Sequence, residues 1–230
     1  MKYADSAPAA VAGYVATLSF VALFGLFTAH VTGNFVLTGA AAAGFGQGVV
    51  MKLMAFPAFS AGVVLSSVIV TATRSWGSSR GAVLLYGVQA LLLGFCLAGV
   101  GVTPVVSASS VPAVACGMIR AAAMGVHNAH GRLIARAGVP NTVMTGKVTQ
   151  SVLDALELVS SEVTAEVKSA ARARLGKTLH AVACFGAGAL AYRYVMFWAL
   201  LMPFAVLVWL AAVDRDEPGL TDRAAGTKPR

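Results

Sequence analysis

The sequence has little charge for its length, and acidic residues are the scarcer sign. Only 11% of the 230 residues are charged, whereas a soluble domain carries about 25%. So few charges cannot cover a water-facing surface, and 58% of the residues are hydrophobic. No Asp, Glu, Lys or Arg occurs in 6–51, 53–73 or 81–119. Because about 20 apolar residues cross a bilayer, these runs alone predict roughly four spans in a lipid bilayer.

Other scarcities argue against several classes of function. The three cysteines, Cys96, Cys116 and Cys184, lie in apolar segments without the spacing of a metal site or a disulfide framework. No nucleophile–base pair is visible, so we expect no enzyme, no cofactor and no metal. The net charge of +8 does not predict a nucleic-acid partner, because the basic residues lie between apolar runs rather than among aromatic ones.

The pattern predicts an all-α, polytopic transmembrane helical bundle with six spans. We place the spans at about 8–29, 53–73, 82–102, 112–132, 175–191 and 194–213. One helix over 178–213 would be about 54 Å long, against a hydrocarbon core of about 30 Å, so we expect a tight hairpin at Tyr192-Arg193-Tyr194. The whole chain, 1–230, is then one membrane domain with a disordered C-terminal tail at 214–230.

An amphipathic helix is predicted between spans four and five, over about 148–174. Its apolar residues recur at spacings of three and four, and they are Val152, Leu156, Val159, Val163 and Val167. Acidic residues lie toward its start and basic ones at its end, which suits the helix dipole. We expect a cytosolic or interfacial helix that docks its apolar stripe on the bundle and leaves its charges in water.

The basic residues predict the orientation of the spans. Six spans put the termini and the second and fourth connections on one side, together with fourteen of the seventeen Lys and Arg residues. The other side has only Lys52 and Arg193. Positive charge is retained on the cytoplasmic side of a membrane, so both termini are expected there.

Two threonine-glycine motifs follow membrane-length segments, TAHVTGNFVL at 28–37 and TVMTGKVTQ at 142–150. A broken helix is tolerated in a bilayer only inside protein or beside a cavity. Paired breaks at corresponding positions of two halves point to a transporter-like site. The two motifs therefore predict such a site where the halves meet.

The halves also align over a longer stretch. Gly13 precedes Gly33 by twenty residues, and Gly125 precedes Gly146 by twenty-one. Downstream, FSAG at 59–62 matches FGAG at 185–188. Three spans per half is an odd number, so repeats at about 8–103 and 111–213 would be inverted relative to each other. The alternative is a chance match of Ala/Gly strings in a chain with 24 glycines.

The motifs FTAHVTGNFVLTG, MGVHNAHGRL and TVMTGKVTQ, in this order, resemble those of the YoaK family of bacterial membrane proteins over nearly the whole chain. The resemblance implies six helices in the cytoplasmic (inner) membrane and a suspected transport role. The sequence departs from the family pattern at three places. The acidic residue often seen ahead of the first glycine motif is absent at Ala9 and Ala10, His127 replaces the usual Gln, and Lys147 replaces a small polar residue.

Arg120 is the most unusual residue of the predicted spans. It lies about 18 Å from the cytoplasmic end of the fourth span, near the middle of the membrane. An arginine at that depth costs at least about 2.5–3.5 kcal/mol and normally faces the protein interior with a partner. All nine acidic residues fall outside the predicted spans. The partner is then an anionic ligand or the main-chain carbonyls at the breaks, unless Arg120 lies nearer an interface and snorkels.

We expect a solute site formed by polar residues at the two motifs and in the fourth span. These are His30, Thr32, Gly33, Asn34, Arg120, His127, Asn128, Thr145, Gly146 and Lys147. Interhelical hydrogen bonding is the alternative role for the histidines, and helix capping is the alternative for Thr32 and Asn34.

Two functions remain open from the sequence. The first is a transporter or channel for a small polar or anionic solute. The second is a membrane accessory or scaffold protein whose polar residues only lock helices together. Small residues four apart, as in Ala58/Gly62 and Ala90/Gly94, permit close helix contacts within one chain or between copies. A homo-oligomer therefore also remains open.

Overall fold

The structure, a computed structural model, describes residues 7–74, 78–102, 107–134, 144–161 and 163–216. Within these ranges the regular structure is helical, as predicted, and contains no strand. The helices are α1 (Ala7–Ala22), α2 (Gly33–Ala42), α3 (Val49–Ala72), α4 (Ser78–Val102), α5 (Val111–Leu133), α6 (Met144–Val159), α7 (Ala165–Val195) and α8 (Leu201–Asp216). A 3-10 helix, Met196–Leu200, joins α7 to α8.

In the described part of the chain, three helical stretches are long and apolar enough to cross a membrane, namely Val49–Ala72, Arg80–Gly99 and Ala165–Val213. The apolar helix Ala7–Ala22 is shorter. Large hydrophobic side chains on these helices are exposed, as expected of a surface that faces hydrocarbon. The protein is therefore of the helical membrane type.

Helix α5 lies at the centre and packs against both α3 and α4. Gly117 lies beside Met51, and further along both helices Gly125 lies beside Gly62. The sequence numbers rise together on the two helices, so α3 and α5 run parallel. Helix α4 has the opposite direction, because Cys96 pairs with Cys116 at one end of the contact and Gln89, earlier in α4, pairs with the later α5 residue His127.

Glycines allow two pairs of helices to touch backbone to backbone. A Cβ on Gly62 would lie closer than 3.0 Å to the carbonyl oxygen of Ala122 in α5, and one on Gly125 would meet the carbonyl oxygen of Phe59 in α3. In the other pair, a Cβ on Gly188 of α7 would meet the carbonyl oxygen of Tyr14 in α1. These contacts leave no room for any side chain, as in close helix packing within membranes.

The first helix is shorter than the predicted first span. Helix α1 ends at Ala22, not near residue 29, and Phe24 and Gly25 follow with positive φ angles of 54° and 79°. Left-handed backbone ends a helix and is readily adopted by glycine. An irregular connection through residue 32 then leads into α2.

The amphipathic segment also differs from the prediction. Instead of one helix over 148–174, α6 ends at Val159 and α7 begins at Ala165. Thr164 caps the new helix, because its hydroxyl accepts a hydrogen bond from the main-chain N–H of Val167 at 3.5 Å. The second part of the predicted segment is therefore the first part of the long helix α7.

The apolar stripe of α6 points away from the bundle rather than toward it. Val152, Leu156 and Val159 are exposed, whereas Asp154 on the opposite face is buried. The carboxylate of Asp154 accepts hydrogen bonds from Arg174 of α7 at 2.6 and 2.9 Å. These hydrogen bonds, with a further one from the side-chain amide at position 150, hold the pKa of Asp154 below its ordinary value. The charged side of α6 is thus the side that docks.

The break after α7 lies slightly later than the predicted hairpin. Tyr192, Arg193 and Tyr194 belong to the final turn of α7, and Met196 takes a positive φ of 53° just beyond it. Helix α8 packs on α4, while α7 packs on α1. Helix α8 continues to Asp216, into the predicted tail, and residues 217–230 lie outside the described part of the chain.

Candidate functional site

Arg120 lies in the middle of α5 and is fully buried, with 0% exposure. Its Nε donates to the sulfur of Cys96 at 3.3 Å, and one terminal nitrogen, Nη1, donates to the hydroxyl of Ser19 in α1 at 3.3 Å. The guanidinium carbon lies 5.2 Å from the ring centroid of Phe197, within cation–π range. The alternative in which Arg120 snorkels to an interface requires an exposed guanidinium, which the structure does not have.

One terminal nitrogen of Arg120, Nη2, has no hydrogen-bond partner among the described residues. No buried carboxylate neutralises the charge of Arg120 either, because the one acidic side chain buried in the described part of the chain is Asp154. That carboxylate is occupied by Arg174. A buried cation without a counter-charge is costly, and this site therefore has unused capacity to bind negative charge.

The disulfide between Cys96 and Cys116 lies beside this arginine and joins α4 to α5, with the two Cα atoms 5.3 Å apart. The sequence does not predict this pairing, because residues twenty apart on different helices have no recognisable spacing. Cys184 is free.

His127 is buried against α4 and shares hydrogen bonds with the side-chain amide of Gln89 at 3.0 and 3.2 Å. One turn further along α5, the ring of His130 lies 4.3 Å from the ring of Tyr86. Sequence reasoning missed Gln89, although it is the one amide side chain in α4. The bonds of His127 are of the interhelical kind that was the alternative to a cavity lining.

Asn34 supports the connection between α1 and α2. Its side-chain oxygen accepts from the main-chain N–H of Phe27 at 3.0 Å, and its amide nitrogen donates to the carbonyl of Phe27 at 2.7 Å. Thr32 is exposed and makes no capping bond, although it precedes the first residue of α2, Gly33. A Cβ on Gly33 would lie 2.8 Å from the Phe27 ring, so these residues fit a structural role.

The remaining predicted residues lie on several elements. His30 is half-buried, with its ring 6.0 Å from the ring of Phe185 in α7. Asn128 is half-buried on α5. Thr145, Gly146 and Lys147 lie in the first turn of α6, and their side chains fall outside the described residues.

The chain is thus a helical membrane-type protein with an arginine buried at the meeting point of α1, α4, α5 and the 3-10 helix. The family model described as "protein of unknown function (DUF1275)" matches residues 6–213, and the chain belongs to this family. Comparisons with curated proteins and with solved structures gave no match.

Proposed function

We propose that this protein carries a small polar solute across the cytoplasmic membrane, and that an anionic solute is favoured. In this proposal α1, α3 and α4 are the spans of the first repeat, and α5, α7 and α8 are those of the second. The short helices α2 and α6 follow the first span of each repeat. Both termini face the cytoplasm, as the distribution of basic residues indicates.

The glycine contacts support an inverted repeat. The sequence alignment pairs Gly13 with Gly125 and Gly62 with Gly188. The same residues make the two close helix contacts, α3 against α5 and α7 against α1. Helix α2 packs on α3 and α6 packs on α7, so the short helices also occupy matching places. Each threonine-glycine motif lies at the beginning of one of them.

The observation that carries the proposal is the buried guanidinium of Arg120 with its unpartnered Nη2. Insertion of an arginine in mid-membrane costs at least about 2.5–3.5 kcal/mol. A neutral side chain would fill the same space without that cost. A charged ligand that binds there during transport gives a reason for the arginine.

A scaffold function is the second candidate, and specific contacts favour it for some residues. His127 is bonded to Gln89 and Asn34 is bonded to Phe27. These contacts use polar groups to fix helices, as expected in a protein that carries nothing. Arg120 distinguishes the candidates, because a scaffold has no use for a buried donor without an acceptor. The resemblance to the YoaK family, with its suspected transport role, also favours the carrier.

Swelling of proteoliposomes tests the carrier. Purified protein is reconstituted with valinomycin, and light scattering follows swelling in iso-osmotic potassium formate, nitrate, chloride, glycerol or urea. We expect at least one solute to enter faster than into protein-free liposomes, and Arg120→Ala to abolish that difference at unchanged protein content. Arg193→Ala is the matched control, because Arg193 is exposed. If no solute enters faster than into empty liposomes, the scaffold function is supported instead.

A further inference from the structure

We infer that Arg120, Ser19 and Phe197 form a binding site for a small monovalent anion. The inference deepens the proposed function, and it rests on that function for the place of the site in a transport path. The three residues come from α5, α1 and the 3-10 helix between α7 and α8. They therefore meet where the two proposed repeats meet.

The local charge selects a monovalent anion. The site has one guanidinium, and the one described acidic side chain that is buried, Asp154, pairs with Arg174. A monoanion makes the site neutral, whereas a dianion would leave a buried negative charge without a partner, at high cost. The ammonium group of a zwitterion would meet no carboxylate there, and a cation would be repelled by Arg120.

Two groups are available to donate hydrogen bonds to the anion. Nη2 of Arg120 has two N–H groups and no partner in the described part of the chain. The hydroxyl of Ser19 accepts from Nη1 of Arg120, and its own hydrogen can therefore point elsewhere. Hydrogen bonds in which one partner is charged are short and about twice as strong as neutral ones. An anion between Nη2 and the serine hydroxyl would satisfy both.

The aromatic wall disfavours strongly hydrated anions. The ring of Phe197 covers one face of the guanidinium at 5.2 Å, and Tyr192 packs edge-on against Phe197 at 5.4 Å. The Phe197 ring itself has no hydrogen-bonding atom to offer an anion beside the arginine. A large, strongly hydrated anion would lose its water without replacement, whereas formate, nitrate or chloride has less hydration to lose.

Thermal stability of the full-length protein in detergent tests the site at constant ionic strength. Because a ligand stabilises the folded state as its concentration rises, formate or nitrate should raise Tm saturably, and sulfate should not. Arg120→Gln should remove the effect. Ser19→Ala should weaken binding about tenfold, from the loss of one hydrogen bond to a charged partner. Arg193→Gln should leave binding unchanged.

The outcomes separate this inference from the proposed function. Saturable stabilisation by sulfate equal to that by formate, or unchanged formate and nitrate binding in Ser19→Ala and Arg120→Gln, would overturn the anion site. If Arg120→Gln does not fold, the Ser19→Ala titration alone decides. Saturable monoanion binding without swelling of proteoliposomes would support the site and refute the carrier. Swelling in glycerol, without saturable binding of formate or nitrate, would refute the site and leave the carrier.

Discussion

The substitution Gly125→Ala tests the backbone contact between α3 and α5. The new methyl group would lie closer than 3.0 Å to the carbonyl oxygen of Phe59, and next to the Cα of Gly62. Both obstacles are main-chain atoms within helices, so neither can rotate aside as a side chain would. The two helices must move apart along the contact.

Two opposing effects determine how much Gly125→Ala lowers the unfolding free energy. Overpacking a close contact costs about 1–3 kcal/mol, and the rigid obstacle at Gly125 places this case at the upper end. Alanine recovers up to about 1 kcal/mol through its better helix propensity. The net loss of unfolding free energy is about 2 kcal/mol, which corresponds to a fall in Tm of about 4–8 °C for a chain of this size.

Thermal unfolding in detergent measures this effect, with Gly176→Ala as the matched control. Gly176 lies in α7, and a Cβ there would meet no atom within 4 Å. Its replacement should leave Tm unchanged or raise it slightly. The substitution Gly13→Ala should cost less than Gly125→Ala, because its nearest obstacle is the ring of Phe185 at 2.7 Å, which can turn. Equal Tm values for the Gly125 and Gly176 variants would refute the close contact.

Two further predictions concern the short helices. Asn34→Ala removes both side-chain hydrogen bonds to Phe27 and should lower the unfolding free energy by about 2 kcal/mol. Thr32→Ala is the control, because Thr32 is exposed and makes no capping bond, and it should change Tm little. Equal changes of Tm in the two variants would contradict the role of Asn34. The pKa of Asp154 is lowered by Arg174, so the stability from this pair is present above the unfolded value of about 3.9 and is lost as the pH falls through the lower folded value. Mobility of a spin label on α6 should rise over that acidic range in the native protein, whereas Asp154→Asn should show the higher mobility already at pH 7.

The sequence predicts well where the helices lie along the chain, but it predicts poorly which face of a helix packs against the protein. Charge-free runs locate α3 and α4, because insertion in a bilayer depends on apolar length. Periodicity finds the stripe of α6 but not its direction. In water an apolar face turns toward the protein, whereas in hydrocarbon there is no driving force to bury it. The ion pair of Asp154 with Arg174 then determines which side of α6 packs against α7.

The candidate site shows the same division. Arg120 is recognisable because its chemistry conflicts with its surroundings. Ser19 and Phe197 are ordinary residues for a membrane helix, and they lie 101 and 77 positions away from it. Nothing in the local sequence joins them to the arginine. Such contacts depend on where the helices cross. The aligned glycines indicate that helices pack closely, but they do not predict which other side chains meet there.

The outward apolar stripe of α6 indicates where the membrane surface meets this side of the protein. A helix of this length extends about 24 Å, too short to cross the bilayer. Its exposed valines and leucine form an apolar stripe that burial in lipid would remove from water. We expect α6 to lie along a membrane surface with that stripe among the acyl chains. Lys168 and Arg172, at the start of α7, would then lie level with the phosphates, where each basic residue adds about 1 kcal/mol of attraction to anionic lipid.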